Sequence, residues 1–111
     1  MRTIKNASEI DNIFRRGVRA TGSTVTLIAV RTPEARGSHG RVLFVAGKRL
    51  GGAVTRNRSK RVLRAAVSRC GGPWPGWDVV LMARTITGTI SHTDLDKAIM
   101  AGLQRIKVLE R

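Results

Sequence analysis

Residues 47–66, GKRLGGAVTRNRSKRVLRAA, contain seven basic residues and no acidic residue. Cations one helical turn apart repel by a few tenths of a kcal/mol per pair, so we expect an external partner to offset this cost. Arginine predominates in the segment, and its planar guanidinium donates paired hydrogen bonds to phosphate and stacks on bases. These residue types indicate phosphate binding, with a nucleic-acid backbone as the predicted partner. The polar residues concerned are Arg56, Asn57, Arg58, Lys60, Arg61 and Arg64.

The spacing of the segment predicts a helix with one apolar side. A step of about 100° per residue brings four apolar residues together as a seam that should face the core: Val62, Leu63, Ala66 and Val67. Cations fall on both flanks of this seam. One flank carries Arg56, Lys60 and Arg64, widened by Asn57 and Arg61, and the other carries Arg58 and Arg69.

Charge is unbalanced over the whole chain. The 111 residues include 21 Lys and Arg against 7 Asp and Glu, a net charge of +14. From Ala35 to Trp77 ten basic residues occur without one acid, whereas an ordinary solvated surface mixes both signs. A membrane surface is the competing polyanion, but no apolar run approaches the ~20 residues of a spanning helix. The N-terminal MRTIKNASEI also lacks the apolar core of a signal peptide, so we expect a cytoplasmic protein.

Groups that could catalyse a reaction are few and scattered. His39 and His92 fall in predicted loops or helix caps, and Asp94 and Asp96 are explained as acids at the N-terminal end of a helix. The single cysteine, Cys70, excludes an internal disulfide and a multi-cysteine zinc site, and it is predicted to be a reduced, partly buried thiol. The sequence therefore predicts no catalytic residue and no metal site in the polypeptide.

Alternating and helical apolar patterns predict the elements that position the basic helix. The first helix should be capped by Ser8 and bury Ile10, Ile13 and Phe14. The last helix should bury Leu95, Ile99, Gly102, Leu103 and Ile106 against a sheet. In chain order we expect a helix at 8–17, strands at 23–31 and 41–46, a turn at 32–40 between them, the basic helix at about 52–69, a strand at 77–84 and a helix at 91–109.

The order of residue types in the basic segment is itself distinctive: Lys48-Arg49, Gly51, Ala53-Val54, Arg56-Asn57-Arg58, Lys60-Arg61 and Arg64. Three further blocks accompany it at fixed places, IFRRG at 13–17, RVLFVAGKR at 41–49 and GWDVVLMAR at 76–84. With these blocks in one order, the chain resembles the bacterial ribonuclease P protein family over most of its length. Arg-Asn-Arg alone would be a weak indication, whereas the four blocks together are a strong one.

The resemblance implies a fold. It is a single α+β domain over residues 1–111, in the order α-β-β-β-α-β-α. It includes a left-handed β-α-β crossover, against the usual right-handed rule, as in the second domain of a small-subunit ribosomal protein. A third strand before the basic helix would then be short and lie around residues 18–22.

The resemblance also implies a function, assistance to an RNA enzyme. The RNA subunit, with magnesium, hydrolyses the phosphodiester that joins the 5′ leader to precursor tRNA, and the protein needs no metal or small-molecule ligand of its own. The basic helix would bind the catalytic RNA through Arg56, Asn57, Arg58, Lys60, Arg61 and Arg64. A cleft between the first helix and the sheet would hold the leader, and the matching residues are Ile10, Phe14, Ile28, Lys48, Arg49 and Arg84.

The chain departs from the family pattern in that cleft. Ile10 and Ile28 stand where relatives often carry aromatic residues, so leader binding should depend more on van der Waals contact and charge than on base stacking. Phe14 is open to two interpretations, core packing and leader contact. Gly47 and Leu43 replace a usual Ser and Gly without altering the charge. Trp74 and Trp77 are interpreted as loop packing rather than as RNA platforms.

Two other classes of protein share the basic composition. A ribosomal or other structural RNA-binding protein would have the same charge without a tie to a ribozyme, and a DNA-binding protein could place the helix in a major groove. The order of the blocks from Ile13 to Arg84 favours the ribonuclease P interpretation over both.

Overall fold

The computed structural model describes residues 3–4, 6–32 and 39–108. Its elements are α1 (Ala7–Arg16), β1 (Val18–Ala20), β2 (Val25–Arg31), β3 (Arg41–Val45), α2 (Ala53–Arg69), β4 (Trp77–Ala83) and α3 (His92–Arg105), with a 3₁₀ turn at Lys48–Leu50 before α2. This is the predicted α-β-β-β-α-β-α order, and the short third strand lies within the expected 18–22. Most of the turn predicted at 32–40 lies outside the described residues. The last helix, predicted to reach residue 109, ends at Arg105, because the backbone leaves the helical conformation and Lys107 has a positive φ of 64°. No described helix is long and apolar enough to cross a membrane.

The strands form one mixed sheet in the order β1-β2-β4-β3. β2 pairs antiparallel with β1 and with β4, while β3 pairs parallel with β4. A parallel pair needs a crossover connection, which α2 provides between β3 and β4. The predicted α+β fold with a β-α-β unit is therefore confirmed, and the left hand of the crossover stays a prediction.

Alternation along the strands divides the apolar side chains between the two faces of the sheet. One face, with Leu27, Phe44 and Leu81, packs against α2 and α3. The opposite face, with Ile28 and Val80, packs against Ile13 of α1 and against Ile4. β4 is thus covered on both faces, which explains its near-continuous apolar sequence.

The cap of the first helix also differs from the sequence prediction. The cap of α1 is Asn6, not Ser8, because the Oδ1 atom of Asn6 accepts hydrogen bonds from the backbone N–H groups of Ser8 (2.9 Å) and Glu9 (3.2 Å). Ser8 already lies in the first turn. At α3 the cap is Ser91, whose hydroxyl accepts a hydrogen bond from the backbone N–H of Asp94 at 3.1 Å.

Candidate nucleic-acid interface

The buried side of α2 is the predicted apolar seam. Leu63, Ala66 and Val67 have no exposed surface, and Val62 is partly buried against the same core. Ser59 is also buried, which the sequence analysis missed because it counted only apolar residues toward the seam. Anchoring this side of the helix leaves its cationic sides facing outward.

Most of the predicted RNA-binding residues of α2 are exposed: Asn57, Arg58, Lys60, Arg61 and Arg64. None of these cations forms an ion pair with a residue that the structure describes. Arg56 differs, since it is half-buried at the edge of the seam and its Nε atom is buried without a partner in the described chain. The charge on the outer sides of α2 is therefore available to a partner molecule.

Arg64 is held in place by an aromatic ring. Its guanidinium carbon lies 5.4 Å from the centroid of Phe44, a buried residue of β3. A cation above an aromatic face is attracted by the ring quadrupole. This contact orders the Arg64 side chain while leaving it exposed, so a phosphate that binds there meets a preorganised cation.

Arg69, at the end of α2, is occupied by an ion pair. Its Nε and NH2 atoms each donate a 2.8 Å hydrogen bond to the Asp96 carboxylate of α3. These bonds hold the pKa of Asp96 below its ordinary value and raise the pKa of Arg69. The interpretation of Asp96 as only an N-terminal helix acid was therefore incomplete, because its carboxylate joins α2 to α3.

Cys70 follows this ion pair and is half-buried, as predicted. Burial raises the pKa of its thiol. The Sγ atom lies 3.9 Å from the backbone oxygen of Asp96, to which the thiol donates a weak hydrogen bond.

The three predicted cleft cations lie together. Lys48, Arg49 and Arg84 line one groove of about 550 Å³ where β3 and β4 end. The groove has an apolar part formed by Val45 and Met82. Because β3 and β4 are parallel, the segments that follow them emerge at the same edge of the sheet.

The residues predicted on the other wall of the cleft divide into two groups. Ile10 and Phe14 of α1 are partly buried and pack against the Ile13 cluster. Ile28 has no exposed surface, because α1 covers it. Direct contact between Ile28 and a leader, as predicted, is therefore wrong, and this side chain supports α1 from below.

Phe14 also contacts a cation. The guanidinium carbon of Arg19 lies 5.9 Å from the ring centroid, and Arg19 NH2 donates a 3.2 Å hydrogen bond to the backbone oxygen of Phe14. The sequence analysis did not consider Arg19, which projects from β1 toward α1.

The sequence does not predict the acidic surroundings of Arg41. It belongs to the long basic run, but its guanidinium lies between two acids and is 14 % exposed. It donates to Glu9 of α1 at 3.2 and 2.9 Å, and to Asp78 of β4 at 3.5 and 2.9 Å. The Thr32 hydroxyl donates a further 3.2 Å bond to Asp78. Only the tertiary structure brings these acids to Arg41.

The two tryptophans pack at the far end of the sheet, away from the groove. Trp74 is buried and its indole N–H donates to the Cys70 backbone oxygen at 3.4 Å. Trp77 is half-buried beneath the Arg31 guanidinium, 4.6 Å from the ring centroid. The interpretation of Trp74 as loop packing is confirmed.

The α+β domain presents outward-facing cations of α2 that have no ion pair among the described residues, beside a groove lined by three more cations, and these features define a basic nucleic-acid-binding domain. Within that class, residues 1–107 match the family model described as Ribonuclease P. The chain belongs to the ribonuclease P protein family.

Relatives named ribonuclease P protein component support this membership. The one from Syntrophomonas wolfei is 32% identical over 109 residues, covering 97% of this chain and 89% of the relative. That from Brevibacillus brevis is 28% identical over 113 residues, with coverage of 97% and 85%. The match to Dehalococcoides mccartyi is 37% identical over 71 residues, and it spans 64% of this chain and 58% of that protein.

Solved structures show the same fold. The Staphylococcus aureus RNase P protein superposes with a TM-score of 0.80 at 20% identity and covers 97% of both chains. The Thermotoga maritima RNase P protein superposes with a TM-score of 0.75 at 16% identity over 100% of both chains.

Proposed function

We propose that this chain is the protein subunit of ribonuclease P, a tRNA-processing endoribonuclease. It binds the catalytic RNA and the 5′ leader of precursor tRNA, and it assists the magnesium-dependent hydrolysis that removes the leader. The observation that carries this proposal is the presence of two cationic surfaces on one rigid unit. The groove cations Lys48 and Arg49 precede α2 by only a few residues, so the groove and the basic helix have a fixed relation.

The basic sides of α2 suit the catalytic RNA. A folded RNA presents phosphates in fixed positions, and a helix anchored by a buried seam presents its guanidinium groups in fixed positions as well. Arg58, Lys60, Arg61 and Arg64 would bind phosphates, while Asn57 can donate or accept hydrogen bonds. Arg56, at the buried edge, has the least freedom to reach outward.

The groove suits a single strand. Lys48, Arg49 and Arg84 would follow the leader backbone, and Val45 and Met82 would contact sugars and bases. A groove without an aromatic platform lacks the ~1–3 kcal/mol per base that stacking supplies. Affinity within the groove should accordingly depend on phosphate charge and van der Waals contact, which leaves Phe14 of α1 as the aromatic residue proposed to contact the leader.

In this proposal the RNA subunit and its magnesium ions carry out the hydrolysis. The polypeptide contributes by lowering the repulsion between two polyanions and by holding the substrate in register, and it is inactive alone. A cytoplasmic location is part of the same proposal.

Reconstitution tests the proposal directly. The protein is added to bacterial ribonuclease P RNA at low magnesium, and removal of the 5′ leader from a labelled precursor tRNA is followed. We expect the protein to restore cleavage that the RNA alone performs poorly, and we expect RNA-free protein to cleave nothing. Failure to stimulate the RNA, or cleavage by rigorously RNA-free protein, would contradict the proposal.

The remaining alternatives predict different partners. A ribosomal or other structural RNA-binding protein would copurify with ribosomal RNA, and a DNA-binding protein would lose its RNA to competing duplex DNA. Membership in the ribonuclease P protein family weighs against both.

A further inference from the structure

α1 is attached to the sheet at few points. It is ten residues long, a length at which an isolated helix is marginal in water. Ile13 is its only fully buried residue. Its C-terminal end is held by the bond from Arg19 to the Phe14 carbonyl. Its N-terminal turn is held by the paired bonds between Glu9 and Arg41.

The Glu9–Arg41 link joins the N-terminal turn of α1 to β3, at the edge of the sheet. α1 packs mainly on β2, whereas Arg41 belongs to β3 and Asp78 to β4. The guanidinium therefore connects three elements, and the buried Asp78 fixes its orientation from the sheet side. Without this link, the N-terminal turn of α1 would lose its paired bonds to β3.

We propose that Arg41 is a positioning residue for leader binding and is not itself an RNA ligand. By holding the N-terminal turn of α1 through Glu9, it fixes Ile10 and Phe14 at a set distance from Val45 and Met82. Ile10, Phe14, Val45 and Met82 all pack against one buried apolar cluster, and Val45 and Met82 also line the basic groove; we call these four side chains the apolar wall. The inference rests on the function proposed above, because it explains how the leader-binding wall is kept in place.

The exposed fractions of the Asp78 and Glu9 side chains decide which residue should be substituted. Asp78 is 2 % exposed, so removing Arg41 would break an ion pair to a buried carboxylate and would destabilise the whole fold. Glu9 is 31 % exposed. With Glu9→Gln, Arg41 keeps its bonds to Asp78, while the tether between α1 and the sheet is weakened.

Asp11 supplies a matched control on the same helix. Asp11→Asn removes the same charge as Glu9→Gln, but its partner is Arg15 of α1 in an exposed i,i+4 pair. Breaking that pair changes nothing between α1 and the sheet. Any effect of charge alone on RNA binding should therefore be equal in the two variants.

The experiment compares wild type, Glu9→Gln and Asp11→Asn as reconstituted holoenzymes. Dissociation constants are measured for precursor tRNA with a leader and for mature tRNA. We expect Glu9→Gln to reduce the preference for precursor about fivefold, the loss expected from one partly buried ion pair, and Asp11→Asn to leave it unchanged. Assembly with the catalytic RNA and its salt dependence should be the same in both variants.

A second measurement follows the tether in the protein alone. Amide hydrogen exchange should become faster in α1 of Glu9→Gln, by a similar factor, with no change in α2. Asp11→Asn should show much smaller acceleration.

Three results would overturn the inference. Equal precursor preference in the two variants would show that the tether does not position the wall. Equal loss for precursor and mature tRNA would show a general structural role. A wild-type holoenzyme without any preference for precursor would contradict the proposed function first, and the inference with it.

Discussion

Arg61 and Arg69 provide a paired test of which cations on α2 serve RNA and which serve the fold. Both are arginines on one helix, and each is replaced by alanine. Arg61 is exposed and has no ion pair within the described chain, whereas Arg69 makes two 2.8 Å hydrogen bonds to Asp96. The structure therefore predicts opposite phenotypes for the same substitution.

The magnitudes follow from these contacts. Each phosphate neutralised by a cation adds about 0.7–0.9 to the slope of log K against log salt. Losing one such contact should weaken binding of the catalytic RNA about four- to sixfold at 0.15 M salt and about eight- to fifteenfold at 0.05 M. Arg61→Ala should leave the free energy of unfolding within about 0.5 kcal/mol of wild type, because no contact inside the protein is lost.

Arg69→Ala should lower the free energy of unfolding and leave the binding of the catalytic RNA unchanged. The ion pair is about one-third exposed, at 35% and 28%, and is screened by solvent. Its geometry is bidentate, so we expect the free energy of unfolding to fall by ~1 kcal/mol, the upper end for such pairs. That loss lowers the melting temperature by about 4 °C in a domain of this size. The salt slope of RNA binding should stay at the wild-type value.

The assay is filter binding of the catalytic RNA at several salt concentrations, together with thermal and urea denaturation of the free proteins. The reasoning is refuted if Arg61→Ala keeps the wild-type affinity and slope, or if Arg69→Ala lowers the slope as much as Arg61→Ala without a loss of stability. In either case the ion pairs of the free protein would not predict which cations bind RNA.

Three further predictions concern stability and the groove. The hydrogen bonds that lower the pKa of Asp96 stabilise the fold above its ordinary pKa of 3.8, and this contribution is lost as pH falls through the lowered value. The difference in unfolding free energy between wild type and Asp96→Asn, measured by urea denaturation, should be present at about pH 7 and should shrink as the pH falls below the ordinary pKa of 3.8. Phe14→Ala should weaken holoenzyme binding of precursor tRNA more than of mature tRNA, and equal losses with a large fall in melting temperature would assign Phe14 to the core. Gly17→Ala should destabilise by ~1–3 kcal/mol because its methyl group would collide with Ile28, while Gly47→Ala, with open space around it, should stay near wild type in the same denaturation experiment.

The sequence predicted the elements well where local patterns control them. The apolar seam of α2 and the buried residues of α3 follow from helical periodicity, and β4 follows from an unbroken apolar run. β1 is different: three residues carry no periodic pattern of their own, and the strand was placed only through the resemblance. The cap of α1 is Asn6 and not the predicted Ser8. Both residue types can accept the capping hydrogen bond, and the backbone conformation decides which of the two does so.

The candidate site was predicted at the level of charge. The sequence alone established that a rigid helix carries cations without acids, since residue type and helical spacing suffice for that. It could not establish which cations are free. Arg41 meets Asp78 across 37 positions and Arg69 meets Asp96 across 27, and such pairs exist only when the chain folds. The burial of Ile28 likewise depends on α1 lying above it. Periodicity and charge are properties of neighbours in the sequence, whereas ion pairing and burial are properties of neighbours in space. Only the tertiary structure therefore separated the cations that hold the fold from the exposed ones that we propose to bind RNA.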